Sequence, residues 1–217
     1  LSTTKRGLFL TFEGPEGSGK STQLRRLAAR LRTEGRTILE TAEPGGTPIG
    51  TQIRRVLLDS KNLELSPTTE LLLMFAARAQ NVDQWILPAL SRGEIVLCDR
   101  FTDSTLVYQG AARGLGHEVV YEVDRIACRG LVPDFTMLID VETELGLERA
   151  HGRNRKAQEI ETRIDEQAVG YLQLAADEPA RIKLIDGSRS EEAVEQEIWN
   201  FVQSALAGTA SPKHGRD

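Results

Sequence analysis

Near the start of the chain, Gly14-Pro15-Glu16-Gly17-Ser18-Gly19-Lys20-Ser21 matches G-x-x-x-x-G-K-[ST] without a mismatch. An apolar, strand-like run, Leu8–Glu13, precedes it, and a helical pattern begins at Lys20. Such a loop needs that context. Glycines let the backbone curl so that successive N–H groups point inward at phosphate oxygens. The N-terminus of the following helix adds partial positive charge. Lys20 is then expected to reach the β- and γ-phosphates of a nucleoside triphosphate, and the Ser21 hydroxyl to hold Mg²⁺. The loop predicts triphosphate binding and leaves the reaction open.

Three further groups of residues carry chemistry. The run Ile95-Val96-Leu97-Cys98-Asp99-Arg100-Phe101 is an apolar strand that ends in Asp-Arg. Asp99 at that end suits a metal-binding carboxylate, direct or through water. Arg100 suits a planar grip on phosphate. Glu43-Pro44-Gly45-Gly46-Thr47 follows a second strand-like run, and locally it reads equally as a plain turn or a functional loop. The densest basic cluster is Glu148-Arg149-Ala150-His151-Gly152-Arg153-Asn154-Arg155-Lys156. A charge run of this kind usually forms a solvated loop.

The elements that must position these groups are legible from periodicity. Short apolar runs at Leu8–Glu13, Thr37–Thr41, Ile95–Asp99, Thr136–Val141 and Arg181–Asp186 read as strands covered on both faces. Helical patterns lie between them. One runs from Lys20 to a glycine cap at Gly35. Another starts at Ser66-Pro67, passes Leu71, Leu72, Phe75 and Ala79, and continues through Trp85 and Ile86 to Gly93. The alternation predicts a three-layer α/β/α fold around a five-stranded parallel sheet, with ligands at the carboxyl ends of the strands. We expect one domain over residues 1–207 and a flexible tail over 208–217.

Composition narrows the function. The 217 residues carry a net charge of −5, which disfavours a nucleic-acid polymer as partner. No apolar stretch is long enough to span a membrane, and the first residues lack a signal peptide's apolar segment. Cys98 and Cys128 sit in apolar surroundings and read as buried, reduced thiols, so a cytoplasmic compartment is expected. Neither N-K-x-D nor a switch-type D-x-x-G element is found, which counts against a switch GTPase. A kinase of a small acceptor remains.

Four blocks in order, FEGPEGSGKST, EPGGTPIG, LLLMFAARAQ and DRFTDSTLVYQGAARGLG, resemble the bacterial thymidylate kinase family, and the likeness runs from Leu8 to about Ala205. The resemblance implies phosphoryl transfer from ATP to dTMP, with Mg²⁺ held by Ser21 and Asp99. It implies that Gly14 to Thr22 hold ATP and that Arg149 stacks on adenine. Phe75 would stack on the thymine ring, although periodicity alone places it in the core, and Arg78 would contact the base. Arg54 and Arg100 would clamp the acceptor phosphate. Glu43, Ser104, Thr105, Tyr108 and Gln109 would line the acceptor site, with hydroxyls of Ser104 and Thr105 near the base edge and Tyr108 crowding a 2′-hydroxyl. Glu16 would orient the acceptor's 3′-hydroxyl or a metal-bound water. One branch of the family carries a catalytic arginine at the position of Gly17; the other supplies it from a lid. This chain resembles the second, with a lid over about 149–161 and Arg153 as the transition-state arginine; His151 aligns about as well. A homodimer is implied too. Other acceptors, such as UMP, CMP or a deoxynucleoside, remain open, as does a switch or assembly module without a small acceptor.

Overall fold

The computed structural model describes residues 6–62, 64–150 and 164–208. Strand β1 (Phe9–Glu13) is buried along its whole length and lies in the middle of a five-stranded sheet. Its companions are β2 (Ile38–Ala42), β3 (Ile95–Asp99), β4 (Phe135–Asp140) and β5 (Ile182–Asp186). The order is β2-β3-β1-β4-β5, and every neighbouring pair is parallel. Each strand starts and ends within one residue of the run expected from sequence. Burial on both faces holds for β1, β3 and β4. The edge strands depart from it: β2 is half-buried, and Leu184 of β5 is 45% exposed.

Side chains alternate across β1. Leu10 and Phe12 enter a core shared with Leu27 and Leu31 of helix α1 (Lys20–Thr33) and with Ile198 and Trp199 of the C-terminal helix Glu191–Gly208. Phe9 enters the opposite core with Leu71, Phe75, Phe101 and Tyr171. By the same alternation Glu13 lies on the Phe9 face. That face is covered by α3 (Pro67–Asn81), which follows α2 (Pro48–Leu58). Ser66 caps α3, its hydroxyl accepting from Thr69 N at 3.2 Å, with Pro67 at the first helical position. The chain continues through a π-helical turn, Val82–Ile86, into α4 (Leu87–Ser91). The remaining helices are α5 (Thr102–Thr105), α6 (His117–Ala127), α7 (Thr143–Ala150), α8 (Ile164–Asp177) and α9 (Glu191–Gly208). Gly208 closes α9; residues 209–217 of the expected tail lie outside the described residues.

Two features aim the ligand face. First, α5 runs directly into a seven-residue π-helical segment, Leu106–Ala112, whose wider turn carries Tyr108 and Gln109. Second, a polar chain pins α5 to the sheet. Arg181 donates to both carboxylate oxygens of Asp103 at 2.7 Å, Thr136 donates to Asp103 at 3.1 Å, and Thr11 donates to Thr136 at 2.8 Å. Cys98 and Cys128 are both buried free thiols. Among the described residues no helix is long and apolar enough to cross a membrane.

Candidate active site

A cavity of about 1160 Å³ opens at the carboxyl ends of the strands, and residues Glu16 to Thr22 of the glycine-rich loop line it. Gly14 and Pro15 lie buried beneath. The loop can curl because Gly14, Gly17 and Gly19 have φ of 132°, 75° and 94°. Close approach also demands glycine. A Cβ on Gly14 would lie 2.2 Å from the Ile139 carbonyl oxygen, and one on Gly17 would lie 2.0 Å from the Gly146 carbonyl oxygen of α7. No side chain fits at position 17, because the space belongs to the α7 backbone. Lys20 is buried and donates from Nζ to the Pro15 carbonyl at 2.5 Å. Burial, and next the charge of Arg100, pull its pKa down to about 7. The negative charge of an arriving phosphate would offset both effects.

Ser21 Oγ donates to Asp99 Oδ2 at 2.5 Å, which joins the first turn of α1 to the end of β3. Two adjacent hard oxygen donors fit Mg²⁺, which takes few protein ligands and fills its shell with water and phosphate oxygens. Among the described residues no cluster of three or more acidic, histidine or cysteine side chains competes for a metal.

Arg100 follows Asp99 with φ of 71°, a left-handed conformation unusual for a side chain this large. Its surroundings hold the turn in place. Arg100 N donates to the Phe12 carbonyl at 2.9 Å, and Phe101 N donates to Glu13 Oε1 at 2.7 Å. Ser104 Oγ donates to Glu13 Oε2 at 2.5 Å, and Tyr171 of α8 donates to the same oxygen at 3.3 Å. The Arg100 guanidinium donates to Ser104 and Tyr171, each at 3.1 Å, lies over the Tyr108 ring at 5.3 Å, and approaches Glu16 to 3.7 Å. Arg54, tied to the Pro44 carbonyl at 2.7 Å, faces the same space. Burial and then the charge of Arg100 lower its pKa. The pKa of Arg100, by contrast, is pushed up despite its burial by Tyr108, Tyr171, Glu13 and Asp99, and the two guanidiniums facing one space mark a seat for a dianion.

Beyond Arg100, the cavity is walled by Leu57, Leu65, Met74, Tyr108 and Gln109. Three of the expected acceptor-site residues do not line the cavity. Phe75 is buried in the core and does not line the cavity; Met74, one residue earlier on α3, does. Arg78 is 1% exposed and lies between the Phe75 and Phe101 rings at 4.7 and 4.9 Å. It donates to Glu43, the Phe101 carbonyl at 3.1 Å, Thr105 at 2.9 Å and Thr102 at 3.4 Å, so most of its donors are spent on the protein. Thr105 is fully buried, its hydroxyl taken by Arg78 and out of the cavity. Glu43 lines the cavity but is likewise committed to Arg78 and to Asn81 at 3.1 Å. Ser104 lines it too, with its hydroxyl held in the Glu13 network. At the opposite end, Arg149 donates to the Gly187 carbonyl at 2.8 Å and borders the cavity with Arg189 and Gln23. Arg153, His151 and Arg155 lie outside the described residues.

Sequence reasoning passed over Glu13, Glu70, Met74 and Tyr171. Only Glu13 left a readable signal, a charge at the end of an otherwise uncharged buried strand, immediately before the loop.

A strand–loop–helix anion cradle, an oxygen-donor pair beside it and facing arginines define a P-loop phosphotransferase that works on nucleotides. The comparisons with known proteins agree. The chain belongs to the thymidylate kinase family, whose model, described as thymidylate kinase, matches residues 12–198. It is similar to the thymidylate kinase of Geotalea uraniireducens, at 46% identity over 93% of this chain and 99% of that protein. Similar relatives of the same name occur in Deinococcus radiodurans, at 46% identity over 91% and 97%, and in Pseudomonas syringae pv. tomato, at 48% over 92% and 97%.

Two predictions follow from this geometry. Burial, with the Asp103 charge next, raises the Glu13 carboxyl from 4.5 to about 7 against the pull of Arg100. Across that window the folded chain keeps a proton that the unfolded chain has lost, so stability falls as pH rises. Glu13→Gln should flatten this part of a Tm-against-pH curve; an unaltered slope would place the titration elsewhere. Gly17→Ala sets a Cβ against the Gly146 carbonyl at positive φ. We expect a loss of roughly 1–3 kcal/mol, measurable by denaturant unfolding, and wild-type stability would show that α7 yields freely.

Proposed function

We propose that this chain transfers the γ-phosphoryl group of ATP to dTMP, giving dTDP and ADP. The observation that carries the reading is one continuous cavity with the phosphate loop and three cationic side chains, Lys20, Arg54 and Arg100, at its middle. An apolar and amide-lined wall lies at one end and the Arg149–Gly187 edge at the other. ATP is placed along the loop toward Arg149, and dTMP beyond Arg100.

No general base is required. The attacking atom is an oxygen of a phosphate monoester, already largely ionised near neutrality because its second pKa is about 6. The difficulty is bringing two polyanions into line. Lys20 neutralises the transferring group, and Arg100 and Arg54 hold the acceptor phosphate facing it. Ser21 and Asp99 are the residues that would hold Mg²⁺, which when bound draws charge from the β- and γ-oxygens. Glu16 steadies Arg100 and reaches toward the acceptor. Arg153 of the expected lid is proposed as the transition-state arginine, and lid closure as what excludes water.

Base selection is assigned to Gln109. Its buried Oε1 accepts no hydrogen bond among the described residues, while Nε2 is tied to Glu70. Thymine's ring N–H would supply the missing donor; cytosine presents a lone pair there. Tyr108, beside Arg100, lies where the sugar must pass and would crowd a 2′-hydroxyl. Met74 offers a polarisable face to the base. We further read residues 1–207 as one kinase domain, in a cytoplasmic homodimer. Apolar side chains exposed on α2, α3 and α6 (Ile49, Val56, Leu72, Val119 and Ile126) support the dimer.

An ADP-release assay across monophosphates tests the reading. We expect dTMP to be preferred, with UMP and CMP well below. If dTMP is no better than these, the acceptor is misassigned; ATP hydrolysis that ignores every monophosphate would indicate a switch module. Lys20→Ala should keep the fold and lower kcat by about 10²–10³; near-normal turnover would remove Lys20 from the chemistry.

A further inference from the structure

Gln109 and Arg113 both reach Glu70 of α3. Gln109 Nε2 donates to Glu70 Oε1 at 2.8 Å, and Arg113 Nη2 donates to Oε2 at 2.9 Å. Gln109 is 5% exposed, and the Glu70 side chain 15%. An amide is nearly symmetric in shape, so glutamine alone does not decide whether its oxygen or its NH₂ faces a ligand. A carboxylate decides, because it only accepts. It must take the NH₂, and the oxygen is left buried beside the cavity without a partner.

We propose that Glu70, anchored by Arg113, is a positioning residue for base selection: it fixes the Gln109 amide so that the site demands a base with a ring N–H donor. The proposal rests on thymine lying against Gln109. It says why the same glutamine accepts thymine or uracil and refuses cytosine. It also says what would reverse that choice. In Glu70→Gln, Arg113 can only donate, so it claims the new amide's oxygen. The new NH₂ then faces Gln109, which must turn its own oxygen to it and its NH₂ to the base. Removing Arg113 as well frees residue 70 to turn back.

The test uses the purified full chain with ATP and compares kcat/KM for dTMP and dCMP. Glu70→Gln should lower the dTMP:dCMP ratio by about 10- to 100-fold, the scale of one mispaired buried hydrogen bond. The change should fall mainly on the KM for dTMP, with the KM for ATP steady. Glu70→Gln combined with Arg113→Met should recover the ratio to within a few-fold. An unchanged ratio in Glu70→Gln overturns the proposal, as does a loss that the double variant fails to recover. Should Glu70→Gln fail to fold, Glu70→Ala replaces it: an untethered amide lowers the ratio, and a wild-type ratio overturns the proposal. Gln109→Ala separates the two readings. If it keeps the wild-type ratio, thymine does not lie against Gln109. If it loses the ratio while Glu70→Gln keeps it, only the role of Glu70 fails.

Discussion

The ligand face hangs from the place where β1 and β3 end side by side. There the Phe101 N–H meets the buried Glu13 carboxylate at 2.7 Å. A backbone donor at the end of a strand must find an acceptor once it is removed from water, and a carboxylate makes that bond strong. The same carboxylate takes Ser104 of α5 and Tyr171 of α8. One side chain thus joins the central strand, the Arg100 turn and two helices, α5 and α8. The left-handed turn at Arg100 is tolerable because its neighbours over-determine it.

Charge is organised locally and is hidden in the chain-wide sum of −5. Lys20, Arg54 and Arg100 converge on one space, and the burial and mutual repulsion recorded in Lys20 and Arg54 oppose their charges. At Lys20 and Arg54 the nearby carboxylates temper that repulsion without cancelling it, whereas at Arg100 the surrounding groups outweigh burial. An anionic ligand is therefore bound by groups already held in place and in need of it, which is what preorganisation means for an electrostatic site.

Much of this was legible in sequence. The strands emerged from short apolar runs, and the loop from glycines flanking Lys20. Which residues of α3 and the following segment face the ligand was not. Adjacent residues on a helix point about 100° apart, so choosing Phe75 over Met74 moves a ring from the cavity wall into the core. The π-helical segment at Leu106–Ala112 changes that angle again, and nothing in its composition announces it. The burial of Thr105 and Arg78 was hidden for a related reason. A buried arginine spends its donors wherever the packing supplies acceptors, and those acceptors come from distant parts of the chain.

The contact between Gly17 and Gly146 bears on evolutionary routes. The phosphate loop and α7 touch backbone to backbone, with no room for even a methyl group between them. A chain arranged in this way cannot acquire an arginine at position 17 by one substitution and keep α7 in place. Any side chain at that position would demand a displaced helix first. The glycine at position 17 is therefore held in place by the thickness of one carbonyl group.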